Sequence, residues 1–68
     1  MKPVSGKELC RILEQHGWML RKIAGSHRIY GKPGSEHRLS VPVHGNRDLK
    51  RGLQHHLLKL AGIPADEV

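Results

Sequence analysis

The middle of this chain is cut into short runs that leave little room for helix. "WMLRKIAG" stops at a Gly-Ser pair, "HRIYGK" stops at "KPGSE", and "HRLSVP" ends at Pro42. Pieces of this length suit strands, because an isolated helix needs more residues to repay its nucleation. Trp18 and Leu20 alternate with Met19, Arg21 and Ile23. Leu39 and Val41 take one face of the third run, with Arg38 and Ser40 on the other. Pro33-Gly34 supplies a turn, proline presetting φ and glycine accepting a positive one. Pro42 cannot donate to a central ladder, so the third strand should end there.

Helical periodicity flanks this segment on both sides. Ser5 and Glu8 have the spacing of a capping box, and Leu9, Ile12, Leu13 and His16 follow at i, i+3, i+4 and i+7 until Gly17. After "VHGN", Asn46 is the expected N-cap of a second helix, with Leu49, Leu53, Leu57 and Leu60 on one stripe until Gly62 and Pro64. Gly52 lies within that stripe and costs about 1 kcal/mol relative to alanine, so the regular helix is expected to begin near Leu53.

The order is therefore α-β-β-β-α, an α+β fold with two helices on one face of a three-stranded antiparallel sheet. With 68 residues, the chain makes one domain, 1–68. The expected core holds Leu9, Ile12, Leu13, Trp18, Leu20, Ile29, Leu39, Val41, Leu53, Leu57 and Leu60. A two-residue loop at Gly25-Ser26 sets Ala24 opposite His27, Ile23 opposite Arg28 and Arg21 opposite Tyr30. Trp18, Leu20, Lys22, Ala24, His27 and Ile29 then share the core side. Arg21, Ile23, Arg28, Tyr30 and Lys32 share the open side with Arg38 and Ser40. One extra residue would reverse the face of His27.

Twelve Lys and Arg against six Asp and Glu give a net charge of +6, and Asp66 and Glu67 fall in the last three residues. A body this basic points to a polyanionic partner, nucleic acid first, although an acidic protein would serve the same charge. The cations and the single tyrosine of the open side would track phosphates and stack on a base. The single cysteine, Cys10, reads as a buried thiol in a reducing cytoplasm. No apolar run is long enough for a membrane span, and no leader is read at the N-terminus.

Gly17-Trp18, the Arg21-to-Tyr30 stretch with its Gly25-Ser26-His27, Val41-Pro42-Val43-His44-Gly45, and the run from Asp48 to Ile63 together resemble the HicA (YcfA-like) toxins. The resemblance covers almost the whole chain in order. It implies a fold similar to the double-stranded RNA-binding domain, an mRNA interferase activity and a HicB-type antitoxin. It also places the family's catalytic histidine at His27. The chain departs from the family at Gly52-Leu53, where members commonly have Gly-Thr, and in "QHHLL" just after it.

RNA carries its own nucleophile, the 2′-hydroxyl, so such an enzyme needs a base, charge stabilisation and positioning. The expectation is that His27 takes the 2′-hydroxyl proton without any metal or other cofactor, histidine being suited to general base work near neutral pH. Candidate RNA contacts are Arg21, Lys22, Arg28, Tyr30, Lys32, Arg38, Lys50 and Arg51. The donor to the leaving oxygen is left open among Lys22, Arg28, Tyr30 and water. Ser26 has no acid placed to complete a triad and reads as a turn residue. His44, His55 and His56 show no zinc spacing. His44 is expected to be able to approach the RNA because it lies in the loop after the third strand. The alternatives are a non-catalytic RNA-binding module and a protein-interaction domain whose basic face an acidic partner covers.

Overall fold

In the computed structural model, which describes residues 2–68, the elements run α1 (Gly6–Gln15), β1 (Met19–Ala24), β2 (His27–Gly31), β3 (Leu39–Pro42) and α2 (Arg51–Ala61). A 3₁₀ turn at Ala65–Glu67 follows. The order expected from the sequence is the order observed. The strands form one antiparallel sheet, β1-β2-β3, with β2 in the middle. No helix among the described residues is long and apolar enough to cross a membrane.

Half of the capping box forms at the start of α1, where Ser5 Oγ accepts from the Glu8 amide at 3.1 Å. The helix ends at Gly17, whose φ of +89° turns the chain. There the Gly17 amide donates to the Glu14 carbonyl and the Trp18 amide to that of Leu13, satisfying two last-turn carbonyls. The same pair of bonds ends α2, from Gly62 to Lys59 and from Ile63 to Leu58.

The second helix starts at Arg51, later than the Asn46 cap and slightly earlier than Leu53. Its delay has a tertiary cause. The Leu49 amide donates to the Val4 carbonyl at 2.9 Å and Ser5 bridges Asp48, so residues 48 and 49 are held extended against the N-terminal segment. The buried stripe is also rotated from the one expected, to Gln54, Leu57, Leu58 and Ala61, with Leu53 and Leu60 half-buried at its margins. Gln54 is fully buried and holds the N-terminal segment in place. Its Oε1 accepts from the Val4 amide at 3.0 Å, and its Nε2 donates to the Lys2 carbonyl at 2.7 Å.

The main departure is in the sheet. The loop has two residues, as expected, with Gly25 at φ +60° followed by Ser26 at negative φ, the signs a type II′ turn requires. Pairing near the tip is also as expected, Ala24 with His27 and Ile23 with Arg28. Beyond Lys22 and Ile29, however, a bulge at Arg21 shifts the register, so that Leu20 rather than Arg21 faces Tyr30. Two demands of opposite parity are thereby reconciled. Trp18 and Leu20 keep the helix side at the base of β1, where Leu20 meets Tyr30, while nearer the tip Arg28 takes that side opposite Ile23, and both β2 residues line up with Leu39 and Val41.

The expected faces of β2 are consequently reversed. Tyr30 has no exposed surface and stands in the core between the sheet and α1. Arg28 is half-buried on the same side, while Ile29 and His27 move to the open face. Leu20 faces the helix side but is 43% exposed, because the helices leave the edge strand β1 largely uncovered. Cys10 is buried and unpaired, as the sequence led one to expect.

Candidate active site on the open face of the sheet

The open face carries three rows of side chains. Ala24, His27 and Pro42 form the row next to the turn, and Lys22, Ile29 and Ser40 form the next. In the third, Gly31 of β2 pairs with Met19 of β1, and the side chains of Arg21 and Arg38 lie against the position a Gly31 Cβ would take.

His27 is held by local rules of the chain. The Gly25-Ser26 turn delivers it as the first residue of β2, and the Val43 amide donates to the Ser26 carbonyl at 2.8 Å, securing the turn to the far end of β3. Its ring is exposed between the short side chains of Ala24 and Pro42. A ring so placed can accept a proton from a strand lying across the sheet. No carboxylate competes for the cations around it: the one salt bridge among the described residues joins His16 to Glu67 at 3.5 Å, at the end of α1.

Arg21, Lys22 and Arg38 thus share a face with His27, and the other expected RNA contacts do not. The tyrosine hydroxyl donates to Glu14 Oε2 at 2.6 Å, which commits Tyr30 to the core and removes it as a stacking platform. Its burial, and then that hydrogen bond to Glu14, raise the hydroxyl pKa well above the usual tyrosine range. Arg28 lies behind the sheet beside Cys10, whose thiol pKa is raised chiefly by burial. Lys32 leans over the Trp18 ring, its Nζ 5.7 Å from the centroid, a cation–π contact at the end of α1.

Lys50 and Arg51 are exposed at the start of α2 and belong to none of the three rows. Lys50 instead lines a cleft of about 500 Å³ with Pro42, His44 and Arg47, floored by Leu49 and Leu53. Because Pro42 is the β3 neighbour of His27, this cleft begins beside the candidate base and leads toward α2. Arg47 was not legible as a site residue. It lies in a turn with no periodicity, and only the fold of that turn, with its amide donating to the His44 carbonyl, brings it to the cleft.

Among the described residues no three His, Cys, Asp or Glu side chains converge to hold a metal ion. Comparison with family models matches residues 6–63 to one described as HicA toxin of bacterial toxin–antitoxin. That span runs from the first residue of α1 to just past α2 and contains every row of the open face. No curated protein matches the chain.

Proposed function

The chain belongs to the HicA toxin family of bacterial toxin–antitoxin systems, and on that premise we propose that it is a metal-independent endoribonuclease that cleaves mRNA with His27 as general base. The observation that carries the reading is the position of His27, exposed on an open sheet face whose other charged groups, Arg21, Lys22 and Arg38, are cations without acidic partners.

In this mechanism the neutral imidazole of His27 takes the proton of a ribose 2′-hydroxyl, and that oxygen attacks the adjacent phosphorus. The O2′–P bond forms and the P–O5′ bond breaks, leaving a 2′,3′-cyclic phosphate and a 5′-hydroxyl. Positive charge from Lys22 stabilises the phosphorane-like transition state. With Tyr30 and Arg28 on the other side of the sheet, the proton for the departing 5′-oxygen comes from Lys22 or water. A toxin of this family has a cognate antitoxin. We assign that role to a HicB-type protein in the same cytoplasm, covering the basic face that RNA would occupy.

General base catalysis contributes about a hundred- to ten-thousand-fold, so His27→Ala should slow cleavage by that order while leaving the fold intact. The test is incubation of both proteins with labelled single-stranded mRNA in EDTA. Cleavage by the parent alone supports the mechanism. Cleavage by both moves the active residue elsewhere, and cleavage by neither, with RNA still bound, makes the chain a binding module.

A further inference from the structure

The bulge at Arg21 and the bare backbone at Gly31 have a joint consequence on the open face. Without the extra residue, Arg21 would stand opposite Tyr30, on the side covered by helices. The bulge instead re-aims Arg21 across the sheet. Arg38, which enters β3 from the other side, is turned toward the same place, its Nη1 donating to the His37 carbonyl at 3.2 Å. The two side chains meet over Gly31. Arg21 Nε and Arg38 Nη1 lie 3.0 and 3.2 Å from the point where a Cβ would be. Two guanidiniums, one from the bulge in β1 and one from the residue just before β3, thus rest in a hollow that only glycine leaves open, with no carboxylate bridging them.

Like charges gathered in this way lack the counter-charge that normally accompanies close arginines. A phosphate supplies it, because each planar fork offers parallel N–H donors to phosphate oxygens. We propose that Arg21 and Arg38 form a clamp for one phosphate of the bound RNA strand, and that this phosphate is not the scissile one. The proposal rests on the RNA-cleaving reading given above. The separation follows from the strand: Gly31 is four residue steps along β2 from His27, a span of about 13 Å. The clamp therefore sets where the strand lies and in which direction it runs past His27. It is a positioning device, and its loss acts on binding.

Its test uses the full chain with His27→Ala, so that RNA is bound and not consumed, and a fluorescently labelled single-stranded RNA of fixed sequence titrated at several salt concentrations. Arg21→Gln, Arg38→Gln and the double variant should each weaken binding roughly ten- to a hundredfold, the double being little worse than either single, because both arginines serve one phosphate. The salt slope should fall by about 0.7, the value for one phosphate on a single strand. Both arginines are exposed, and unchanged melting temperatures would verify the fold.

Gly31→Ala is the second variant. It keeps every charge but fills the hollow between two flexible side chains, and it should weaken binding at constant net charge. Undiminished binding by the double variant would overturn the clamp, as would additive losses with a slope change of about 1.4, which would mean two separate phosphates. Cleavage is scored apart, with His27 restored. A parent that cleaves while the double variant binds normally removes the clamp alone, whereas a parent that binds through the clamp without cleaving supports the clamp and removes the nuclease reading.

Discussion

Alanine placed at Gly6 and at Gly52 should have opposite effects, although both glycines lie in helices. Helix propensity favours alanine over glycine by up to about 1 kcal/mol at either position. At Gly52 nothing lies within 4 Å of the added Cβ, so Gly52→Ala should realise that gain. At Gly6 the Cβ would sit 2.0 Å from the carbonyl oxygen of Pro42 and 3.3 Å from the Val43 Cα. These are backbone atoms, so no side chain can swing aside. The first turn of α1 and the end of β3 must separate by more than 1 Å to restore ordinary contact. Overpacking of this kind costs about 1–3 kcal/mol and sometimes more, and the upper end applies because two main chains move, so a net loss of about 2 kcal/mol is expected for Gly6→Ala. The assay is urea unfolding of the parent and both variants. In a domain of this size each 1 kcal/mol also moves the melting temperature by about 4–8 °C. A Gly6→Ala protein as stable as the parent would refute the close approach of α1 to β3. Since Pro42 is the β3 neighbour of His27, the same variant should also lose activity at temperatures where it remains folded.

The remaining outcomes follow from buried polar groups. Tyr30→Phe removes the hydroxyl bonded to Glu14 and should cost about 1–2 kcal/mol by thermal melting. Burial raises the Tyr30 and Cys10 pKa values above their ordinary 10.0 and 9.0, so the fold disfavours both ionised forms. Their contribution is whole below pH 9 and is lost as pH climbs beyond 9 and then 10. Melts between pH 8 and 11 should show this decline, shallower above pH 10 in Tyr30→Phe. Gln54→Leu fits an apolar surround but strands the buried Val4 amide, a loss of about 1–3 kcal/mol in urea titration; a neutral result would contradict the role given to Gln54. The Trp18 indole N–H is buried without a partner, so Trp18→Phe should cost less than the roughly 3–5 kcal/mol of Trp18→Ala, and equal costs would show that the indole is bonded after all.

Much of this protein is legible along the chain. Ser5 and Gly17 bound the first helix because capping and left-handed turns are chemistry of single residues. Gly25-Ser26 defines the hairpin tip for the same reason, and with it the place of His27 at the start of a strand. The order of elements, the Leu39 and Val41 face and the excess of positive charge also need no third dimension to be read. Which side of the sheet each residue of β2 faces is a different kind of property. The apolar residues at the base of β1 demand one parity and the pairing of β2 with Leu39 and Val41 demands the other. Alternation counts by two, so it cannot reveal where a single extra residue will be absorbed. Only the packing of two helices against the sheet decides that Tyr30 goes in, that the bulge falls at Arg21, and that His27 and both arginines emerge together on the open face. Likewise Gln54 became a core residue only because the N-terminal segment, distant in sequence, presents an amide and a carbonyl to its side chain.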